Sequence, residues 1–242
     1  MRIAVVTGAA GGMGRAISAQ LVADGHVAYG LDIDAAGLER VAGELGSAFH
    51  ASVVDLTNPV AIKSAFDAFI AEQGGVDVLV NNAGTCLMGT FPHIDAAELD
   101  RQMSLNFSSA FHCSQAAVIA MEGRPGIRKI VNISSNGAYN FDVFDPPHYR
   151  ASKAALDTLT KDLARRYARE KICVNSIAPA MTETPLFKVV TEEVLAAAIA
   201  QMPHGRPMQP AEVAAWVGFL ISPAGDIASG NVIILNQGRD VR

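Results

Sequence analysis

Apolar and β-branched residues gather into seven short runs along the chain, at 3–7, 27–31, 51–54, 76–80, 129–133, 172–177 and 232–235. Most of these runs are too uniformly apolar for a strand with one wet face, and read instead as strands covered on both sides. Helix-like stretches lie between them, at 12–24, 35–45, 59–72, 96–121, 148–169, 192–201 and 211–221, with start signals such as Asn58-Pro59 and Gln209-Pro210. Strand and helix alternate throughout. That order predicts parallel strands joined by right-handed crossovers: an α/β chain with an open, twisted, doubly wound sheet of about seven parallel strands and helices on both faces. No repeat, low-complexity tract or linker divides it, so residues 1–242 are expected to form a single domain.

Composition narrows the function classes. Half of the 242 residues are hydrophobic and 18% are charged, which excludes disorder as the main state. The net charge of −5 argues against a nucleic-acid partner. The longest apolar run, 214–221, falls short of the ~18 residues needed to span a bilayer, so no membrane association is expected. The apolar run at the N-terminus stops at Thr7-Gly8 and reads as a buried first strand rather than a signal peptide. Cys86, Cys113 and Cys173 are odd in number and widely spaced, without His at ligand spacing, which indicates neither disulfides nor a metal site and makes the cytoplasm the expected compartment.

The first strand runs directly into Thr7-Gly8-Ala9-Ala10-Gly11-Gly12-Met13-Gly14, and a helical pattern follows. Strand, glycine turn and helix in that order make a dinucleotide site: glycine lets the backbone turn tightly and approach a pyrophosphate, and the helix N-terminus offers N–H groups to the anion. Gly8, Gly12 and Gly14 carry the assignment, although an ordinary tight turn has the same composition. Asp32 ends the second strand 18 residues beyond Gly14, close to the ~20-residue offset at which an acid meets the ribose hydroxyls of NAD. With no cation among Ala9, Ala10, Gly11, Ile33 and Asp34 to neutralise a 2′-phosphate, NAD is favoured over NADP. The alternative is that Asp32 caps the next helix. Asp55, where the third strand would end, could meet the adenine edge or be a plain surface acid.

Tyr149 and Lys153 are four residues apart in a helical stretch and share a face. A neighbouring ammonium favours the phenolate, so Lys153 is expected to draw the Tyr149 pKa down from ~10 and make it an acid/base. Alone, the spacing is common. Ser135 at the end of the fifth strand, Asn106 in the fourth helical stretch and Asn82-Ala83-Gly84 after the fourth strand fall at the same sheet edge, outside the carboxyl ends of the strands, where open α/β sheets bind ligands. Ser134-Ser135 lacks the G-x-S-x-G surroundings of an acyl-transfer nucleophile.

With these five motifs in order, the chain resembles the short-chain dehydrogenase/reductases of the compact single-domain type, from Arg2 to about Gly238. The resemblance implies a Rossmann-like fold and a catalytic set of Asn106, Ser135, Tyr149 and Lys153. It implies cofactor contacts from Thr7, Gly8, Gly12, Met13, Gly14, Asp32, Asp55, Leu56, Asn82, Ala83, Gly84, Tyr149, Lys153, Pro179 and Thr184, with Lys153 on the nicotinamide ribose and Thr184 on the carboxamide. Two departures stand out: Pro179-Ala180 replaces the usual Pro-Gly, and the Ser135-to-Tyr149 interval is one residue longer than usual.

The expected reaction is hydride transfer between NAD and a secondary alcohol or ketone. Tyr149 exchanges the hydroxyl proton, Ser135 holds the oxygen, and Lys153 passes the proton on through water held by Asn106. Apolar residues in the loop 136–148 (Tyr139, Phe141, Val143, Phe144, Pro146, Pro147) and in a substrate-covering insert around 185–208 point to a neutral, moderately hydrophobic small molecule. Asp142, Asp145 and Glu183 disfavour an anionic head group. The alternatives are a 3-oxoacyl carrier-protein reductase and a non-catalytic nucleotide-sensing protein. Should Tyr149 not be the acid/base, His148 is the next titratable group; Cys86 is assigned no role. Apolar residues on more than one face of 96–121 and 148–169, among them Phe107, Ala110, Phe111, Ala154, Leu156 and Leu159, together with the resemblance, predict a homo-oligomer, most simply a tetramer.

Overall fold

Seven strands, β1 (Ile3–Thr7), β2 (Val27–Asp32), β3 (Phe49–Val53), β4 (Val78–Asn81), β5 (Arg128–Ile133), β6 (Ile172–Pro179) and β7 (Val232–Leu235), form one parallel sheet in the order β3-β2-β1-β4-β5-β6-β7. The computed structural model describes residues 1–140, 145–184 and 191–240. Among them, the α-helices are α1 (Gly12–Ala23), α2 (Ala35–Leu45), α3 (Pro59–Gln73), α4 (Ala96–Met103), α5 (Ser109–Ala120), α6 (Pro147–Arg166), α7 (Glu192–Ala200) and α8 (Pro210–Ile221).

The two-residue period of a strand divides its side chains between two cores. Ala4 and Val6 of β1 pack with Ile17 and Leu21 of α1, Leu38 of α2 and Val213 and Val217 of α8. Ile3 and Val5 pack with Ile62 and Phe66 of α3, Cys113 and Ala117 of α5 and Ala164 of α6. Both faces are covered, as the continuous apolar runs require. The strand order reverses between β1 and β4, which opens a crevice outside their carboxyl ends.

Several element limits differ from the reading of the sequence by one to three residues, α6 ending at Arg166 and β6 at Pro179 among them, and three differences have a physical reason. β3 begins two residues early, because its register against β2 starts at Ala28 with Phe49, and as an edge strand it leaves Val53 exposed. β4 begins at Val78, after the N–H groups of Val76 and Asp77 have bonded Ala120 O and Ile3 O. The stretch 96–121 is not one α-helix: a π-helical segment, Ser104–Ser108, separates α4 from α5.

At the opposite edge of the sheet, Asp77 accepts from Arg124 Nε (2.8 Å), Arg124 Nη2 (2.6 Å) and the Ile3 N–H (2.8 Å). Burial pushes this carboxyl upward, but the Arg124 and Ile3 hydrogen bonds outweigh it and hold it below its ordinary value. A depressed carboxyl stabilises the fold above its unfolded pKa of ~3.9 and loses that contribution as the pH falls through the folded value. Asp77→Asn should therefore cost about 2–3 kcal/mol at neutral pH, somewhat less than breaking a fully buried pair. Denaturant melts from pH 7 to pH 3 should show the gap between variant and wild type closing at the acid end.

Candidate active site

At the top of β1, Gly8 takes a φ of +67°, and the N–H groups of Gly8 and Ala9 both reach Leu31 O (2.7 and 3.3 Å), fastening the loop to β2. A Cβ on Gly14 would lie 1.9 Å from Gly8 O, so glycine is what lets α1 pack this close to the turn. Gly11, the residue before α1, offers no side-chain acceptor, and the first turn of α1 carries no acid. The N–H groups of Gly12, Met13 and Gly14 thus sit at the positive end of an uncapped helix, and a Cβ on Gly11 would meet nothing within 4 Å. Open space beside free donors fits a pyrophosphate.

Asp32 flanks this cradle. Its Oδ2 accepts from Ala10 N and its Oδ1 from Asp34 N, each at 3.0 Å. Asp34, not Asp32, caps α2 through Gly37 N (3.0 Å). The nearby cations are paired elsewhere: Arg15 with Glu44 at 2.6 Å and Arg40 with Asp34 at 3.8 Å. Asp55 is exposed, and its Oδ1 takes the Thr57 N–H (2.9 Å) and hydroxyl (2.7 Å), which hold the carboxyl below its ordinary value. Leu56 buries its side chain in the core with Val54 and Ile62.

Thr7 and Asn82 join the crevice walls. The Thr7 Oγ1 accepts from the N–H groups of Asn82 and Ala83 (both 3.0 Å) and donates to Val80 O (3.4 Å). The Asn82 amide returns to Thr7 O (3.0 Å) and Gly8 O (3.1 Å). Gly84 follows, exposed, where a Cβ would lie 3.2 Å from both Asn106 Oδ1 and Lys153 Nζ. The turn thus lies close against two of the catalytic candidates.

Asn106 lies on the π segment and is fully buried. Its amide pairs with Thr85 in both directions, accepting from Thr85 N (2.8 Å) and donating to Thr85 O (2.9 Å), and donates to Ser152 Oγ (3.0 Å). Ser152 donates to Tyr149 O (2.7 Å), so Asn106 braces the turn of α6 that carries Tyr149. The side-chain amide is thereby committed to protein partners. The Ser135 hydroxyl accepts from Gly137 N (3.0 Å) and stands near enough to the Tyr149 phenol to act on it. Lys153 is buried and donates to Ile133 O (2.9 Å) at the end of β5.

The expected downward pull of Lys153 on Tyr149 is not found: the amine is not among the groups that shift the phenol. Burial pushes the phenol well above its ordinary value and the Asp145 carboxylate adds to this, while the Ser135 hydroxyl opposes them. Burial likewise draws the Lys153 amine down to about 8, against the charge of Asp157. At rest the phenol is protonated, and the amine, one turn further along α6, is still largely charged at neutral pH.

Pro179 ends β6, and Ala180 donates its N–H to Leu235 O (2.7 Å). Positive φ among non-glycine residues is confined to Lys171 and Gln237 within the described residues, so alanine at 180 fits without strain. Thr184 is half-buried at the edge of the described residues. His148 is buried with Nε2 3.2 Å from Glu98 Oε1, and Cys86 is buried, with its thiol pushed up to about 12. Glu183 is bonded by Gln209 Nε2 (2.7 Å). Tyr139, expected as an apolar wall of the substrate loop, instead donates its hydroxyl to buried Asp157 (2.9 Å). Phe141, Asp142, Val143, Phe144 and residues 185–190 lie outside the described residues, as does any bulge between Ser135 and Tyr149. Ser152 and Asp157 escaped the sequence reading. Asp157 had a signal, since it lies one helical turn beyond Lys153 on the same face.

The protein-family model described as Enoyl-(Acyl carrier protein) reductase matches residues 8–240. Acetoacetyl-CoA reductase of Acinetobacter sp. (strain RA3849) is 37% identical over 98% of this chain and 97% of its own length. The 3-oxoacyl-[acyl-carrier-protein] reductase FabG of Vibrio cholerae is 33% identical over 98% of this chain and 96% of its own. A crystal structure from Brucella melitensis titled short-chain dehydrogenase/reductase SDR:Glucose/ribitol dehydrogenase superposes with a TM-score of 0.93 at 30% identity, covering 100% of this chain and 97% of that one. Fold, crevice and sequence agree: the chain belongs to the short-chain dehydrogenase/reductase family.

Proposed function

We propose that this oxidoreductase transfers hydride between NAD(H) and a neutral, moderately hydrophobic secondary alcohol or ketone. The observation that carries the reading is that Tyr149 and Lys153 stand one turn apart on α6, with Ser135 close enough to act on the phenol and the Lys153 amine against Gly84 at the crevice. When bound, the nicotinamide supplies the two-electron redox step. The chain handles the proton. Ser135 donates a hydrogen bond to the substrate oxygen, and Tyr149, resting protonated, gives its proton to that oxygen in carbonyl reduction and takes it back in alcohol oxidation. Lys153, anchored on Ile133 O, stabilises the phenolate left behind. Asn106 acts by holding Ser152 and Thr85 in place.

The carboxylate of Asp145 supports a substrate without negative charge near the reacting carbon. A Cβ on Gly137 would lie 2.3 Å from Asp145 Oδ2 and 3.2 Å from Ser135 Oγ, so acid and serine flank the same glycine. A second reading, reduction of a 3-oxoacyl thioester, is favoured by the names of the relatives at 33–37% identity. Rates with NADH and NADPH on neutral ketones and on acetoacetyl-CoA separate the two. A nucleotide-sensing role without turnover would leave Ser135, Tyr149 and Lys153 without a task.

Tyr149→Phe removes only the exchanging hydroxyl. Turnover should fall by about 10²–10⁴-fold while NADH affinity, followed by fluorescence titration, stays within about threefold. Loss of Lys153 should damage both, and Ser135→Ala mainly turnover. Retention of most activity by Tyr149→Phe would move the acid/base role to His148.

Cofactor choice follows from Asp32 and the paired state of Arg15 and Arg40. The wild type should bind NAD more tightly than NADP, and Asp32→Asn, which keeps an acceptor for Ala10 N, should narrow the gap. Equal affinities in the wild type would refute this assignment.

Phe111 and Ile119 of α5 are exposed at 37% and 61%, and Phe107 stacks at a tilt on Phe111 with ring centroids 6.1 Å apart. This apolar outer face supports assembly into a homo-oligomer, a tetramer in its simplest form. Sedimentation at micromolar concentration should find no monomer as the main species.

A further inference from the structure

Asp157 lies one turn beyond Lys153 on α6 and is only 4% exposed, yet the proton handling described above makes no use of it. Its carboxylate gathers three hydroxyls. Oδ2 accepts from Ser134 Oγ and from the Tyr139 phenol, both at 2.9 Å, and Oδ1 accepts from Ser176 Oγ at 2.7 Å. The donors belong to separate parts of the fold: Ser134 precedes Ser135 at the end of β5, Tyr139 stands in the segment leading to α6, and Ser176 is on β6. The Ser134 hydroxyl also lies 3.3 Å from Lys153 O.

Burying a carboxylate is costly unless hydrogen bonds and charge compensate it. Burial prevails and raises this carboxyl above its ordinary value. The three donors and the charge of Lys153, the cation that acts on it among the described residues, oppose that shift and favour the anion. The groups that face Lys153 are few. From α6 it is Asp157, from the segment after β4 the Cys86 thiol, from the π segment the neutral Asn106, and from β5 the Ile133 carbonyl. Cys86 is a neutral thiol at working pH, and the charge of Asp145 falls on Tyr149 and Cys86. Asp157 is therefore the negative charge left to hold the Lys153 ammonium in a buried site.

We propose that Asp157 is a positioning residue for the reaction, fastening through Ser134 and Tyr139 the strand end and loop that present Ser135, and keeping Lys153 charged. The catalytic consequence rests on the hydride-transfer reading. The effect on Lys153 is measurable without turnover.

The test is competitive labelling of the full-length protein with acetic anhydride from pH 6 to pH 10, with acetylation at Lys153 read by peptide mass spectrometry. Asp157→Asn should lower the Lys153 midpoint by about one pH unit or more, the scale of removing one close opposite charge. The alkaline limb of kcat against pH should move down with it. Tyr139→Phe, which keeps the carboxylate and frees the loop, should raise KM more than it lowers kcat. An unchanged Lys153 midpoint, or an unmoved alkaline limb, in folded Asp157→Asn overturns the proposal. If that variant does not fold, the double variant Ser134→Ala, Ser176→Ala, which strips two donors and so favours the neutral carboxyl, should move the midpoint the same way, and no movement there is equally fatal. Failure of the wild type to turn over any ketone would count against the functional reading and leave the labelling to decide the charge role of Asp157.

Discussion

The walls of the crevice depend on one hydroxyl that ties together the ends of two strands whose connections run in opposite directions. At the reversal of strand order, neighbouring strand ends send their loops apart, and nothing in the sheet ladder itself controls the gap. Thr7 Oγ1 does so, taking the N–H groups of Asn82 and Ala83 while giving its proton to Val80 O. The Asn82 amide completes the tie on the carbonyls of Thr7 and Gly8. The glycine turn, the α1 N-terminus and Gly84 then have fixed places, and Gly84 in turn bounds the space left to Lys153 and Asn106. Residues that resemble cofactor contacts on sequence grounds are thus, in part, the joinery of the cleft.

The chemistry is shaped by desolvation more than by pairwise charge. A lysine four residues from a tyrosine on an exposed helix would lower the phenol pKa. In this protein both groups are buried and each is driven toward its neutral form, the phenol upward and the amine downward. At rest the phenol therefore keeps its proton, and polar groups around the pair, Ser135 near the phenol and Asp157 one turn beyond the lysine, moderate how far burial carries each shift.

Most of the architecture was legible because a parallel sheet covered on both faces writes itself as continuous apolar runs with glycine or an acid at their ends. The ends of β1 and β2 and the glycine turn were read from composition alone. β3 was displaced because this edge strand exposes three of its five residues, and apolarity no longer marks its limits. Tyr139 was misplaced for a related reason: an aromatic side chain in a loop looks like a pocket wall until its hydroxyl is seen to find Asp157. Buried polar partners such as Asp157 with Ser134 and Ser176, or Asn81 with Asn132 (2.8 Å), depend on contacts between residues 19 to 51 positions apart. Period and spacing along one segment carry no record of them.

The π segment at Ser104–Ser108 has a geometric consequence for everything downstream of it. One residue more than an α-turn needs rotates the following helix by about 100° relative to the course α4 would set. α4 can thereby turn Gln102 toward the backbone of Thr85 and Leu87 while α5 lays Cys113, Ala117 and Ala120 against the sheet. A straight helix would have to compromise between those phases. Loops absorb a deleted residue by tightening, but the same deletion here would swing one helix around its axis, pulling either the Asn106 amide from Thr85 or three small side chains from the core.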